Sequence, residues 1–313
     1  MGNAAPITSA FGADSTAREV VAGIDLRGKN AIVTGGGSGL GLETTRALAL
    51  AGAHVTIAVR DTAAGQAVAD KINEEAGRAA VDVAFLDLTD LSSVRALAQT
   101  WGAKPLHILV NNAGVMATPE GRTKDGFETQ FGVNHLAHFL LTTLLLPALE
   151  AGAPSRVVAL SSSAHVFSDV DLDDPNFEKS PYHPMKSYGR AKTANALFVV
   201  EFDRRYRQKD IHAFAVMPGV IRTALGRYLP DNVWDSLGDS VKFKSHEQGA
   251  ATSVWAATSP DLAQTGGLYL EDCKVADVTQ GRAGAGKGVM PYAVDPERAR
   301  ALWTLSEQML AKV

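Results

Sequence analysis

The 313-residue chain has the composition of a folded protein with one large domain, or two at most, since 46% of its residues are apolar and 20% are charged. Its formal net charge of −4, from 30 basic and 34 acidic residues, argues against nucleic acid as the main partner, because neutralising phosphates requires a basic surface. A single cysteine, Cys273, excludes an internal disulfide and fits a reducing compartment.

The first 28 residues are rich in Gly, Ala, Ser and Thr and have no clear period, so residues 1–28 are predicted to form an N-terminal arm, either extended or with a short surface helix. They contain neither the apolar core nor the basic lead-in of a signal peptide. The most apolar later stretch, 138–152, is interrupted by two threonines and a proline and is too short to span a bilayer. We therefore expect a cytoplasmic protein without a membrane anchor.

From residue 29 onward, short apolar segments alternate with helical ones. The predicted strands are 30–34, 53–60, 81–88, 106–114, 156–162, 212–219 and 266–270, and the predicted helices are 40–52, 63–77, 91–102, 124–151, 186–208 and 296–310. Such alternation is typical of a parallel sheet covered on both faces. The sequence therefore predicts one α/β domain over 29–313, built on a Rossmann-type doubly wound parallel sheet of about seven strands, with helices on both faces.

A glycine-rich stretch, TGGGSGLG at 34–41, follows the first predicted strand and opens a helix. Glycine tolerates positive φ and lets a ligand approach the backbone, and a helix N-terminus presents unpaired N–H groups to a pyrophosphate. The same residues in isolation would also suit a flexible turn. The strand before them and the helix after them favour a dinucleotide-phosphate site.

A second pattern is SYGRAK at 187–192, in which Tyr188 and Lys192 share one face of a predicted helix. A free tyrosine, with a pKa of ~10, exchanges protons poorly at neutral pH. A neighbouring ammonium favours the phenolate, so we expect Lys192 to lower the pKa of Tyr188. A phenol tuned in this way can protonate a developing alkoxide or deprotonate an alcohol. The alternative is a surface pair that contributes only slightly to helix stability.

Three motifs in fixed order resemble the short-chain dehydrogenase/reductase family, in its classical type, over about residues 28–275. They are TGxxxGxG after the first strand, NNAG at 111–114 and YxxxK at 188–192. The family resemblance implies an enzyme that transfers hydride between a nicotinamide cofactor and a carbonyl/alcohol pair.

The segment between the serine run at 161–163 and Tyr188 is long, which is similar to the retinol-dehydrogenase-like branch of the family. The stretches GLYLEDCK at 267–274 and ALWTLSEQ at 301–308 also resemble that branch. Many animal members of the branch carry a membrane anchor at the N-terminus, and we expect none in this chain. A retinoid substrate is therefore not implied.

The resemblance implies a catalytic set of Ser162, Tyr188, Lys192 and Asn134. Ser162 would hydrogen-bond the substrate oxygen, although the run SSS leaves Ser161 or Ser163 as alternatives. Asn134 would hold a water that links the lysine to solvent, and Lys192 would also bind the nicotinamide ribose.

The resemblance also implies cofactor-binding residues in the glycine turn and at the ends of later strands. They are Thr34, Gly35, Gly37, Ser38, Gly39, Leu40, Gly41, Arg60, Asp87, Leu88, Asn112, Ala113, Gly114, Tyr188, Lys192, Pro218, Gly219, Ile221 and Thr223. Within this set, Pro218, Gly219 and Thr223 would contact the nicotinamide carboxamide.

The end of the second strand favours NADP(H) over NAD(H). By resemblance, Val59 occupies the position of the acid that selects NAD, and Arg60 follows it. An arginine there suits a 2′-phosphate, whereas an acid would repel it. Asp61 is a counter-argument, because it could pair with Arg60 or face the ribose, and Arg60 could also be a solvated surface side chain. Asp87 resembles the acid that meets the adenine, and it could also cap the next helix.

The sequence thus predicts an NADP(H)-dependent oxidoreductase that reduces a lipophilic aldehyde or ketone as its small-molecule substrate. The segment 224–249, with Tyr228, Leu229, Trp234, Leu237 and Phe243, is predicted to form a substrate lid, although these residues could equally pack a helix pair. The insert at 166–185 is a second candidate wall. The resemblance of the helices at 124–151 and 186–208 to the family's dimer helices implies a homo-oligomer.

Three alternative functions remain open. A non-catalytic NADP(H)-binding sensor or scaffold is disfavoured by the complete Ser/Tyr/Lys/Asn set. A sugar-nucleotide epimerase or dehydratase would carry a TGxxGxxG motif and a larger C-terminal domain. This sequence shows neither feature, so that alternative is disfavoured. A Ser–His hydrolase using His165 or His183 lacks a G-x-S-x-G elbow, and no metal-ligand cluster is recognisable.

Overall fold

Seven parallel strands lie side by side in one sheet, and a short eighth strand runs antiparallel at its edge. The computed structural model describes residues 7, 9–230, 232, 242–279 and 287–313. The strands are β1 (Asn30–Thr34), β2 (His54–Val59), β3 (Val81–Phe85), β4 (Ile108–Asn111), β5 (Ser155–Leu160), β6 (Ile211–Met217), β7 (Leu268–Glu271) and β8 (Lys274–Val275). Their order across the sheet is β3-β2-β1-β4-β5-β6-β7-β8, so the winding direction reverses between β1 and β4. The predicted doubly wound parallel sheet is confirmed, with β8 as an addition.

The helices cover both faces of this sheet, as predicted. They are α1 (Ala17–Val21), α2 (Gly39–Leu50), α3 (Thr62–Ala76), α4 (Leu91–Trp101), α5 (Thr129–Phe131), α6 (Ala137–Leu144), α7 (Leu146–Ala151), α8 (Pro184–Tyr206), α9 (His246–Thr258) and α10 (Pro296–Leu310). One core joins the sheet to α4, α6, α8 and α10, and a second core joins it to α1, α2, α3 and α9. No helix in the described part of the chain is both long enough and apolar enough to cross a membrane.

The helix predicted over 124–151 is wrong in its start and its continuity. Helical structure begins at α5, continues as a π-helix over Gly132–Leu136 and then becomes α6. Residues 124–128 instead form a turn that ends in a bridge between Arg122 and Glu128. A separate helix, α7, starts at Leu146 with a proline in its first turn, where a missing N–H does no harm.

Helix α9 was not predicted. Every residue from 249 to 257 is buried, and most of them are small. A helix that is enclosed on all sides has no polar face, so its sequence shows no amphipathic period. Its N-terminus carries the one clear signal, a capping box in which Ser245 and Gln248 bond each other's backbone N–H groups.

The arm contains a short helix, α1, which begins with a capping box formed by Thr16 and Glu19. Val20 and Val21 are buried in the core shared with α9. Residues 1–6 and 8 of the predicted arm lie outside the described residues.

Candidate active site

The carboxyl ends of β1 and β4 are joined by Thr34, the last residue of β1. Its hydroxyl accepts the backbone N–H of Asn112 at 2.9 Å and of Ala113 at 3.0 Å. The Asn112 amide returns a bond to the Thr34 carbonyl at 2.8 Å. These bonds hold the NNAG turn beside the glycine turn at the point where the winding reverses, which is where ligands bind in open α/β sheets.

The glycine turn has no room for side chains at two of its positions. A Cβ on Gly41 would lie 2.3 Å from the Gly35 carbonyl, and one on Gly36 would lie 2.6 Å from Ile57. Gly35 and Gly39 have φ values of 65° and 54°, in the left-handed region that favours glycine. The turn therefore brings bare backbone to the start of α2.

The first turn of α2 is open to an anion. It holds no acidic residue, and among the described residues the Ser38 side chain forms no capping bond to it. The N–H groups of Gly39 and Leu40 point toward the helix N-terminus, where a negative charge is stabilised. These features suit the phosphate site that the sequence predicted from the glycines, and that assignment stays a prediction.

Arg60 is exposed at the carboxyl end of β2, directly before α3. Asp61 caps α3, since its carboxylate accepts the Ala64 N–H at 2.9 Å. Because Asp61 already caps α3, it counts less strongly against a phosphate-binding role for Arg60. The assignment of Arg60 to a 2′-phosphate stays a prediction.

Asp87 is not a helix cap, so the capping role that the sequence allowed for it is wrong. Its carboxylate closes a turn on Thr89, accepting the backbone N–H at 2.9 Å and the hydroxyl at 2.8 Å. The N-cap of α4 is Asp90, which accepts the Ser92 N–H. Asp87 and Leu88 lie in the loop that follows β3, at the same edge of the sheet as the glycine turn.

Asn134 lies within the π-helix and is fully buried. Its amide oxygen accepts the Val115 N–H and its amide nitrogen donates to the Val115 carbonyl, both at 2.9 Å. A Cβ on Gly114 would come within 2.8 Å of the same amide oxygen. The wide π turn thus fits Asn134 against the end of the NNAG turn, a use of π-helices common at functional sites.

Ser162, Tyr188 and Lys192 are brought together where β5 ends against α8. The Lys192 ammonium donates to the Leu160 carbonyl at 2.8 Å and lies 5.5 Å from the centre of the Tyr188 ring. Ser161 donates its hydroxyl to the Lys192 carbonyl at 2.8 Å, so it is used for packing β5 on α8. Among the three serines this favours Ser162, whose hydroxyl is near enough to Tyr188 to affect its pKa.

The expected lowering of the pKa of Tyr188 by Lys192 is wrong in this structure. Burial raises the pKa of Tyr188 to about 12, and the nearby Ser162 hydroxyl acts in the opposite direction. Burial also lowers the pKa of Lys192 to about 8. Both side chains are only 4% exposed, so desolvation outweighs the attraction between the two groups.

The segment after β6 carries the last predicted cofactor residues. Gly219 has a φ of 101°, and a Cβ there would lie 2.7 Å from the Lys244 side chain. Leu40 and Ile221 both approach Gly249 near the start of α9, so the two side chains pack against that helix. Thr223 caps a short 3₁₀-helix over Ala224–Gly226. Pro218 lies between β6 and Gly219, at the carboxyl edge of the sheet.

The histidines near the serine run do not form a hydrolase pair. The His165 ring contacts the carbonyl of Ser162 at 2.8 Å rather than its hydroxyl. His183 caps α8 by accepting the Lys186 N–H at 3.3 Å. In the part of the chain that the structure describes, no three His, Cys, Asp or Glu side chains group as a metal site.

The predicted lid is described only in part, and Trp234 and Leu237 lie outside the described residues. Tyr228 is 48% exposed. The Arg222 guanidinium lies over the Phe243 ring, with its central carbon 4.6 Å from the ring centre. The last residues of the segment belong to α9. The assignment as a lid stays a prediction.

Gln130 is a buried residue that connects the surroundings of the site, and the sequence analysis missed it. Its amide accepts the Ala117 N–H at 2.8 Å and donates to the Tyr182 hydroxyl at 2.9 Å and the Pro184 carbonyl at 2.8 Å. It therefore ties the loop after NNAG to the insert 166–185 and to the start of α8. No pattern in the sequence around Gln130 marks it, because Glu128 and Thr129 precede it and Asn134 follows in the next turn.

The glycine turn lies where the winding of the sheet reverses, beside a buried tyrosine–lysine pair. This combination is characteristic of oxidoreductases that use a nicotinamide dinucleotide. A family model for short chain dehydrogenase matches residues 29–234. Retinol dehydrogenase 12 of Mus musculus is 42% identical over 291 residues, covering 92% of this chain and 88% of that protein. The chain belongs to the short-chain dehydrogenase/reductase family and is an enzyme of that class.

Solved structures agree with this assignment. An uncharacterized protein from Mycobacterium Paratuberculosis is 35% identical, with a TM-score of 0.74 over 95% of this chain and 98% of that chain. The Pseudomonas aeruginosa RhlG/NADP active-site complex is 26% identical, with a TM-score of 0.63 over 79% of this chain and 95% of that chain. Members of the family use a nicotinamide cofactor and small-molecule substrates.

Proposed function

We propose that this enzyme uses NADP(H) to reduce a lipophilic aldehyde or ketone, with Tyr188 as the proton donor. The observation that carries the proposal is the burial of Tyr188 beside Lys192 and Ser162. Burial raises the pKa of Tyr188 to about 12, so the phenol carries its proton at neutral pH. A protonated phenol suits reduction, in which an oxygen must be protonated.

We assign the other residues the roles that the family resemblance implies, and their positions in the fold support these roles. The glycine turn and the start of α2 would hold the pyrophosphate, and Arg60 would hold a 2′-phosphate. Bound NADPH supplies the hydride. Ser162 and Tyr188 would hydrogen-bond the carbonyl oxygen, and Tyr188 would pass its proton to that oxygen. Lys192 would then pass a proton back to Tyr188, and a water held by Asn134 would link Lys192 to solvent.

An apolar residue near the site supports a lipophilic substrate. Phe167 is 56% exposed at the end of the 3₁₀-helix that follows Ser162. It lies beside Gly189, the neighbour of Tyr188, because a Cβ on that glycine would be 3.1 Å from the Phe167 Cβ. The mouse relative is named for retinol, which is a lipophilic alcohol.

The proposal is tested by following NADPH and NADH oxidation by the purified protein with a panel of lipophilic aldehydes and ketones. We expect carbonyl-dependent oxidation of NADPH and about tenfold slower oxidation of NADH at equal concentration. The reason is that only NADPH carries the 2′-phosphate that Arg60 would bind. Binding of NADPH without turnover of any carbonyl in the panel would overturn the proposed substrate class.

Replacing Arg60 should alter cofactor selection alone. We expect Arg60→Ala to raise KM for NADPH by about 10- to 100-fold, the value of a charge-assisted contact, and to leave KM for NADH nearly unchanged. Arg27→Ala is the matched control, since Arg27 is an exposed arginine before β1. It lies at the amino ends of the parallel strands, whereas Arg60 lies at their carboxyl ends. An equal rise for both cofactors would show that Arg60 does not read the phosphate.

We further propose that the enzyme works as a cytoplasmic homo-oligomer, as the resemblance of the segments 124–151 and 186–208 to the family's dimer helices implies. Leu144, 38% exposed on α6, is an apolar side chain available for such a contact. Light scattering by the purified protein would overturn this if it showed a monomer at assay concentration.

A further inference from the structure

His165 is a fully buried histidine that the proposed reaction does not use. Both of its ring nitrogens are engaged: Nε2 lies 3.0 Å from the backbone nitrogen of Met290, and Nδ1 lies 2.8 Å from the carbonyl oxygen of Ser162. A backbone N–H can only donate, so Nε2 must be the acceptor and the ring proton must be on Nδ1. His165 therefore donates to the Ser162 carbonyl and accepts from Met290.

The carbonyl of Ser162 is held from two sides. The Tyr269 hydroxyl at the edge of β7 also donates to it, at 3.1 Å. Ser162 is in addition the N-cap of the 3₁₀-helix Ser163–Phe167, where its hydroxyl oxygen accepts the Ala164 N–H at 3.1 Å. Fixing this peptide group fixes the direction from which the Ser162 hydroxyl faces Tyr188.

The partner of His165 belongs to a well-anchored stretch near the C-terminus, Gly288–Tyr292. The Gly288 N–H donates to both carboxylate oxygens of the buried Glu271 at 3.0 Å, and the Tyr292 hydroxyl donates to the His165 carbonyl at 2.8 Å. Thr193, the neighbour of Lys192, also donates to that carbonyl, at 3.2 Å. His165 is thus a junction between Ser162, α8 and Gly288–Tyr292.

We propose that His165 is a positioning residue that couples Ser162 to the Gly288–Tyr292 stretch. Through this coupling the stretch influences how the Ser162 hydroxyl holds the carbonyl of the substrate, although it does not contact the substrate. The inference rests on the proposed function, because it concerns the same serine. Burial lowers the pKa of His165, which keeps the ring neutral and Nε2 available as an acceptor at neutral pH. The coupling therefore requires the Met290 N–H and the neutral ring together.

The decisive variant breaks this contact from the Met290 side and leaves the His165 side chain unmutated. Met290 has a φ of −70°, which suits proline, so Met290→Pro deletes the donor and puts its ring Cδ where the N–H pointed, which displaces the His165 ring. Met290→Ala is the matched control that keeps the N–H. We expect kcat to fall by about tenfold or more in Met290→Pro relative to Met290→Ala, because small displacements of a reacting group have large kinetic effects. The NADPH dissociation constant should be the same in both.

Two substitutions of His165 test its two hydrogen bonds separately. Asn carries a donor near the Nδ1 position and Gln carries an acceptor near the Nε2 position, so each keeps one of the two bonds. Coupling requires both bonds, and we expect kcat to fall in His165→Asn as well as in His165→Gln. His212→Asn is the control for losing a buried histidine, since His212 pairs with Asp203 near the start of β6.

Equal kcat values for Met290→Ala and Met290→Pro would overturn the proposal, as would a matching loss of NADPH binding in the proline variant, which would indicate general disruption. If the unaltered enzyme turns over no carbonyl, the proposed function fails first. In that case the backbone NMR signal of Ser162 decides the inference separately: a difference between the two Met290 variants supports it, and identical signals overturn it.

Discussion

Tyr188→Phe should reduce the rate of NADPH-dependent carbonyl reduction by about 10²- to 10⁴-fold, the usual contribution of a positioned general acid. The phenol is 4% exposed and its pKa is raised to about 12 by burial, so it holds a transferable proton at neutral pH. Removing one oxygen atom leaves the ring and its packing intact. The NADPH dissociation constant should therefore change by less than about threefold, the effect of one modest contact. Stopped-flow single turnovers and a binding titration measure the two quantities.

Tyr206→Phe is a suitable control, because Tyr206 lies at the far end of the same helix and packs on Phe202 and Trp303. We expect its rate to match that of the unaltered enzyme. A Tyr188→Phe enzyme with full activity would contradict the assignment of the proton donor. A loss of NADPH binding in the same variant would show that the lower rate reflects weaker cofactor binding rather than a missing proton donor.

The alternation of apolar strands and helices was enough to predict the sheet, because each buried parallel strand is a short apolar run bounded by turn residues. The same reasoning missed α9, whose sequence of small residues from 249 to 257 is buried on all sides and has no polar face. It also missed the π-helix at Gly132–Leu136, since periodicity cannot distinguish an extra residue in one turn. The edge strand β8 follows a turn in which Asp272 and Cys273 both have positive φ, an uncommon choice without glycine.

The candidate site was predictable where chemistry is carried by residue type and spacing, as in the glycine turn and the Tyr188–Lys192 pair. It was not predictable where a choice depends on three-dimensional packing. Which aspartate caps α4 is decided by loop geometry, and Asp90 rather than Asp87 does so. The pKa of Tyr188 depends on burial, and burial outweighs the neighbouring charge that sequence spacing reveals.

Lys192→Met should stabilise the protein at pH 7 while it abolishes turnover. Burial lowers the pKa of Lys192 from 10.5 to about 8, so the folded protein carries a desolvated ammonium at neutral pH. A shift of that size corresponds to roughly 3 kcal/mol, and losing the hydrogen bond to the Leu160 carbonyl offsets part of it. That carbonyl keeps a second donor, the Asn195 amide at 2.9 Å. We expect the free energy of unfolding to rise by about 1–3 kcal/mol, measured by urea denaturation.

The pH dependence separates this explanation from a simple gain in packing. Between pH 8 and 10.5 the unfolded lysine is protonated and the folded one is largely neutral, so the unfolded state binds more protons. The stability of the unaltered protein therefore rises with pH relative to that of Lys192→Met, and the difference should shrink across this window and be largest below pH 8. Lys186→Met, at an exposed position on the same helix, should show no such trend. A constant difference at all pH values would mean that methionine only packs better, whereas a shrinking one would show that the site keeps a costly buried charge for its chemistry.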